Sequence, residues 1–267
     1  MGTMASSFER PREEWVKGQK DRTIRFNKAK QDPDPDGFFC EECGNKGYIA
    51  YCDDEGHYTL GYCKKCRSRR STKRSLALSG MEELFERYSF LNFDNWSPWA
   101  QSMKQVALDW AKGGRGWLML CGQPGSGKTH LAVAACGYRL GRKDQQVEAL
   151  SWREFVGGQM NRENTGRQEE MERKMGAELL YVDDLFKTAR GRKEILPWEV
   201  EIFFELINHR YAKRLDTVIT TEWTPGELLS IDEAIGSRLI EMAGKHLFTV
   251  GKDAGKNYRL KTDRLSS

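Results

Sequence analysis

Eight consecutive residues, Gly122-Gln123-Pro124-Gly125-Ser126-Gly127-Lys128-Thr129, have the spacing G-x-x-x-x-G-K-[ST]. A polyphosphate needs closely spaced donors, and a glycine-rich turn lets backbone N–H groups approach it without Cβ clashes. In that reading Lys128 reaches the β/γ-phosphates of ATP and the Thr129 hydroxyl ligates Mg²⁺. A second chemical element lies downstream, where the apolar run Leu179-Leu180-Tyr181-Val182 ends in Asp183-Asp184. Asp183 is suited to hold Mg²⁺ through its water shell, and Asp184 to orient or deprotonate an attacking water. The implied reaction is ATP hydrolysis.

A third element is built from thiols. Cys40-x-x-Cys43 and Cys63-x-x-Cys66 are separated by nineteen residues. Two thiolates two residues apart can turn around one metal, and two such pairs complete a tetrahedron, so structural Zn²⁺ is expected, with an iron–sulfur cluster or free thiols as alternatives. Such a site has no open position and is not catalytic. Cys52 and His57 are spare candidate ligands, whereas Cys121 and Cys136, flanked by apolar residues, read as ordinary buried thiols.

The elements that must position these groups follow from patterning. Trp117-Leu118-Met119-Leu120-Cys121 leads directly into the glycine-rich loop as a continuous apolar run, and Thr217-Val218-Ile219-Thr220 is a similar run. Such runs read as strands buried on both faces. Helical spacing is seen from Met103 to Ala111, from Thr129 to Leu140, where the helix would aim its positive end at the phosphates, and around Ile202–Ile207. Strands alternating with helices predict an α/β domain with a parallel sheet flanked by helices.

The chain has 267 residues, 39% of them hydrophobic, and a net charge of +4. That content excludes wholesale disorder, and no apolar run is long enough for a membrane helix. Seven cysteines without an export signal point to reduced thiols and a cytoplasmic setting. Residues 1–80 hold 16 Lys and Arg against 12 Asp and Glu, which accounts for the whole net charge, and the basic excess peaks at Lys64–Arg74. That run is a candidate nucleic-acid contact or a solvated linker. The pattern divides the chain into an N-terminal arm (1–37), flexible or helical and closed by Asp32-Pro33-Asp34-Pro35-Asp36-Gly37, a zinc-binding module with a basic linker (38–75), and the α/β domain (76–267), with 71–80 as a hinge.

From Phe85 onward the motifs resemble those of the DnaC/DnaI-type replicative helicase loaders, AAA+ ATPases close to the IstB transposition helpers. The similarity rests on Phe85-Glu86-Arg87-Tyr88 with Phe90-Leu91-Asn92-Phe93, on the phosphate loop, on Asp183-Asp184-Leu185, on Leu206-Ile207-Asn208-His209-Arg210-Tyr211, and on Gly236-Ser237-Arg238-Leu239. It implies an AAA+ P-loop domain with little or no C-terminal lid. Arg238 takes the place of an arginine finger that completes a neighbouring subunit's site, and Arg210 is a second candidate. Gly255-Lys256-Asn257-Tyr258-Arg259 resembles the family's closing strand. One position departs: the family's Thr-Ser-Asn at a strand end is Thr220-Thr221-Glu222 here, which leaves either Thr221 as the candidate γ-phosphate sensor or a register one residue off.

The function implied is ATP-dependent loading of a DnaB-type hexameric helicase onto single-stranded DNA, with self-association in the presence of ATP or DNA, slow hydrolysis and no membrane partner. The alternatives are an IstB-like regulator of transposition and a non-hydrolysing ATP-gated adaptor, the latter favoured by Glu222. Trp152, Arg153, Phe155, Arg162, Arg167, Arg173 and Lys174 are candidate contacts for a single strand, basic groups mixed with aromatics.

Overall fold

The computed structural model describes residues 12–34, 37–143, 145–161, 164–188 and 194–260. It separates into two units, Met1–Arg70 and Ser71–Ser267.

In the first unit, helix α1 (Arg12–Lys28) is followed by an antiparallel hairpin, β1 (Tyr48–Cys52) and β2 (Tyr58–Tyr62). The charged N-terminal segment is thus a helix over its described part, and it is a packed component of this unit rather than a separate arm. Asn27 explains why: its side-chain amide accepts from Ala50 N and donates to Ala50 O, both at 2.9 Å, as a neighbouring strand's peptide would. Around the Asp-Pro stretch, Asp34 N donates to Phe38 O at 2.8 Å and Gln31 N to Gly44 O at 2.8 Å.

Helix α2 (Arg67–Leu78) carries most of the basic run, and the division between units falls inside it. Its C-terminal half is no hinge: Thr72, Ser75 and Leu76 are buried. Next come α3 (Glu82–Arg87), α4 (Pro98–Gly113), β3 (Trp117–Gly122), α5 (Lys128–Lys143) and β4 (Val147–Ser151). After them run α6 (Trp152–Asn161), α7 (Asn164–Gly176), β5 (Leu179–Leu185), α8 (Pro197–Ala212), β6 (Asp216–Thr221), α9 (Pro225–Ile231), α10 (Glu233–Ala243) and β7 (Leu247–Val250). Five strands form one parallel sheet in the order β4-β5-β6-β3-β7.

This is the AAA+ P-loop architecture. Successive side chains of a strand point to opposite faces, and here both faces are covered. Leu118, Leu120, Tyr181 and Val218 join one apolar cluster, while Trp117, Met119, Val182 and Ile219 join the other. Strand β4 was not anticipated from the sequence because Glu148 interrupts its apolar run. An edge strand leaves N–H groups open, and α2 closes them: Val147 N donates to Thr72 Oγ1 at 2.9 Å and Ala149 N to Ser75 Oγ at 3.2 Å. Glu148 is buried but satisfied, accepting from Lys174 Nζ and from Ser75 Oγ, each at 2.8 Å. Gly255–Arg259 is not a strand; it lies in two short 3-10 turns beyond β7, where Lys256 N and Asn257 N bond back to Asp253 O and Ala254 O.

Candidate functional site

The loop between β3 and α5 turns through glycines with positive φ, among them Gly122 (φ +94°) and Gly127 (φ +94°). Neither has room for a side chain: a Cβ would stand 2.1 Å from Val250 O at Gly122 and 2.7 Å from the Phe93 ring at Gly127. Helix α5 starts at Lys128, so its unpaired N–H groups open onto the loop. Lys128 Nζ folds back to donate to Gly122 O at 2.8 Å and Gln123 O at 2.9 Å. Burial pulls this ammonium below its usual pKa, opposed by the negative charges of Glu222 and Asp184. The Ser126 hydroxyl is buried with no hydrogen-bond partner among the described residues. An orphaned donor inside a glycine-rich loop at a helix N-terminus fits an anionic ligand.

Asp183 and Asp184 would face opposite sides of a regular strand. A bulge prevents that: Val182 pairs with Ile219 and Leu185 with Thr221, so β5 spends one residue more than β6. Asp184 takes up the turn in the left-handed region, at φ +53°. Asp183 Oδ1 accepts from Thr129 Oγ1 at 3.1 Å, Thr220 Oγ1 at 2.7 Å and Tyr181 Oη at 2.5 Å. A hydroxyl and a carboxylate joined across 54 residues of chain are oxygen donors suited to Mg²⁺. Asp184 lines the adjoining cleft, of about 420 Å³, together with Lys128, Lys187 and Glu222. That volume is within the range of small-molecule sites.

The cleft lining is also aromatic, and this part was not anticipated as belonging to the site. Trp96 and Tyr258 have ring centroids 5.7 Å apart. Tyr258 N donates to Gly125 O at 2.9 Å, and its hydroxyl to Asp94 at 2.9 Å. Arg87 and Arg259 also line this part. Their sequence signal was only the lead-in and closing motifs, which carry no chemistry by themselves.

Three arginine and threonine expectations sort differently. Thr221 does not face the cleft: it is fully buried, and its hydroxyl donates to Leu185 O at 2.9 Å. The preceding residue is the one joined to the paired aspartates, since Thr220 Oγ1 bonds Asp183 and accepts from Asp184 N at 2.9 Å. Register explains the difference, because the two neighbours on β6 face opposite sides. Arg210 is no finger. It is fully buried and donates to Thr217 Oγ1 and to the carbonyls of Lys174, Met175, Ala177 and Asp216. It thereby satisfies the C-terminal carbonyls of α7. Arg238 lies on α10 away from this chain's own cleft, over the rings of Phe204 (5.4 Å) and Tyr211 (5.3 Å), with Nη1 donating to Ala234 O at 2.8 Å.

Of the candidate strand contacts, Trp152 packs against Phe155, Phe186 and Phe203 in the core, and Lys174 is the buried partner of Glu148. Arg173 leans on Glu148 and Glu170, whereas Arg153 is exposed. Arg162 lies outside the described residues.

In the first unit, Cys40, Cys43, Cys63 and Cys66 are buried with their sulfurs all within 4.8 Å of one another. The sulfurs of Cys40 and Cys63, and of Cys43 and Cys66, are 3.8 Å apart. A tetrahedron of sulfurs about 2.3 Å from a central zinc has edges of about 3.8 Å. Gly47 N donates to Cys43 Sγ at 3.3 Å. Buried Asn45, in the left-handed region at φ +65°, holds the first knuckle by accepting from Cys40 N at 3.3 Å and donating to Asp32 O at 2.7 Å. The four residues fit Zn²⁺ as a closed structural site. His57 instead pairs with Asp53, Nδ1 to Oδ2 at 2.7 Å, in the exposed hairpin loop. Burial pushes the Cys121 thiol up to about 12 and Cys136 up as well, so both remain neutral. Among the described residues no helix is long and apolar enough to cross a membrane.

The chain has relatives among known proteins. Over 239 residues the chain is 31% identical to the uncharacterized protein YqaM of Bacillus subtilis, covering 85% of this chain and 76% of that one. It is 28% identical to the phage-like element PBSX protein XkdC of the same organism, covering 78% and 85%. Among solved structures, the DnaC helicase loader superposes with a TM-score of 0.54 at 18% identity, over 63% of this chain and 98% of that one. The replication initiator DnaA bound to AMPPCP and single-stranded DNA gives 0.52 at 19% identity, over 67% and 55%. At these identities the superpositions speak for the fold alone. Residues 57–266 match the family profile of the IstB-like ATP binding protein, and the chain belongs to that family.

Proposed function

We propose that this protein is an ATP-dependent loader that delivers a replicative hexameric helicase to single-stranded DNA in the cytoplasm, with ATP hydrolysed between adjacent copies. The observation that carries the nucleotide part is the Thr129–Asp183 contact beside the Ser126 orphan and the glycine loop. Lys128 would leave its two carbonyls for the β/γ-phosphates, and Thr129 with Asp183 would hold Mg²⁺, which neutralises phosphate charge. Asp184 orients the water that attacks the γ-phosphorus; the β–γ bridging P–O bond breaks, giving ADP and phosphate. Arg238 from a neighbouring copy stabilises the charge on the transferred group, making hydrolysis depend on assembly. Its place off its own cleft supports a role in trans.

The helicase part is supported by the likeness to the DnaC fold and by the Cys₄ unit ahead of the ATPase unit. In this proposal Zn²⁺ shapes a surface for the helicase, and exposed Arg67, Arg69 and Arg74 of α2 contribute positive charge toward nucleic acid. Co-purification with a hexameric helicase, before and after removal of residues 1–70, is the test. Capture by the full chain and loss on truncation is the expected result; equal capture by both forms would reject the role of the Cys₄ unit. The family's IstB description favours a second reading, a regulator of transposition acting on duplex DNA. Stimulation of ATP turnover by duplex rather than single-stranded DNA, abolished by Asp184→Asn, would favour it.

A further inference from the structure

Glu222 presents an electrostatic problem. It lines the cleft beside Lys128 and Asp184, so two carboxylates face the place where a triphosphate's terminal charge belongs. Lys187 resolves it. Its Nζ lies 2.6 Å from Asp184 Oδ2 and 3.2 Å from Glu222 Oε1, bridging the ends of two adjacent strands. The backbone that carries Lys187 is fixed. Phe186, at φ +58°, is buried against Trp152 and Phe203. Phe186 O accepts from Trp223 Nε1 at 3.2 Å, and Lys187 N donates to Asp184 O at 2.9 Å. The side chain itself is 45% exposed.

We infer that Lys187 and Glu222 form a charge pair that reads the γ-phosphate: Glu222 anchors the Lys187 ammonium at the cleft, and the ammonium passes from Asp184 to the γ-phosphoryl oxygens when a triphosphate is present. Without a γ-phosphate, Lys187 stays on Asp184 and keeps that carboxylate from holding water. The pair thus substitutes for the neutral asparagine expected at position 222 and ties release of Asp184 to the presence of the group to be cleaved. Both residues are outside the loop that takes the α/β-phosphates, so a diphosphate gains nothing from them. This inference rests on the nucleotide-binding reading proposed above.

The test is equilibrium binding of fluorescent ATPγS and fluorescent ADP, with Mg²⁺, to the full chain. Binding of neither nucleotide by the unaltered protein would reject the nucleotide reading itself. If the unaltered protein binds both, Lys187→Met is expected to weaken ATPγS by about tenfold or more, the worth of a charge-assisted hydrogen bond, while ADP changes by less than about twofold. Lys187→Arg keeps the preference for ATPγS. Glu222→Gln restores part of the ATPγS affinity in the Lys187→Met background, where the acid has lost its partner, but weakens ATPγS in the unaltered background, where it removes the anchor of the ammonium. Equal weakening of both nucleotides in Lys187→Met, an unchanged ratio, or additive effects of the two substitutions would overturn the inference while leaving the nucleotide reading intact.

Discussion

In the first unit the buried cluster consists of Cys40, Cys43, Cys63 and Cys66, with Phe38 and Ile49 packed partly against it. In the second, Trp110, Trp117, Trp152, Tyr181 and Phe203 are among the fully buried side chains, shared between the two faces of a sheet. A small unit cannot bury enough apolar surface to offset the chain entropy lost on folding. Four thiolates around one metal would replace the missing core. With zinc bound, the two units would depend on different things, an ion in one and close packing in the other, and each should fail independently.

Metal removal is the severest perturbation of the first unit. Stripping zinc with a strong chelator, or substituting Cys63→Ser, is expected to unfold the first unit outright, since metal binding in such sites is worth about 10 kcal/mol or more. Limited proteolysis should then cut within residues 12–70 while the thermal transition of the second unit stays in place. Retained protease resistance in zinc-free protein would show that the first unit has a sufficient core of its own.

Arg210→Met probes the second unit in the same spirit. Its loss leaves the carbonyls of Lys174, Met175, Ala177 and Asp216 without their buried donor. A drop of about 3–5 kcal/mol in urea unfolding is expected, with metal content unchanged. An effect below about 1 kcal/mol would mean that water replaces the guanidinium.

Next in size is the stabilisation that nucleotide confers. At a hundredfold excess over its dissociation constant, MgATP should add about 2.7 kcal/mol to the second unit. Lys128→Ala should abolish that gain without lowering the stability of the ligand-free protein by a comparable amount. A shift in the first unit's transition on adding ATP would show that the two units are coupled.

The smallest expected effect sharpens the first unit alone. The hydrogen bond and charge of Asp53 raise the His57 pKa above its ordinary value. The charged pair's contribution is therefore complete below the unfolded value, about 6.5, and is lost as pH rises through the higher folded value. NMR titration of the His57 ring should show this raised midpoint, and Asp53→Asn should bring it down; an unshifted midpoint would detach His57 from the loop.

Much of this molecule is readable without coordinates. The runs Trp117–Cys121, Leu179–Val182 and Thr217–Thr220 became β3, β5 and β6 because residues buried on both faces leave an unbroken apolar signature. Strand β4 escaped notice because Glu148 looks like a surface residue until Ser75 and Lys174 are brought to it. The basic run between the units likewise gave no hint that Thr72 and Ser75 would close a sheet edge.

The division between sequence and tertiary structure has one physical root. The phosphate loop and each Cys-x-x-Cys turn are local: their donors lie within a few residues, and spacing alone brings them near a common centre. Which hydroxyl meets Asp183, where Arg210 spends its hydrogen bonds, and that Lys187 neutralises Glu222 were all decided by strand register and by a bulge. Those depend on how distant segments pair, and a one-residue shift in that pairing exchanges Thr220 for Thr221 at the site.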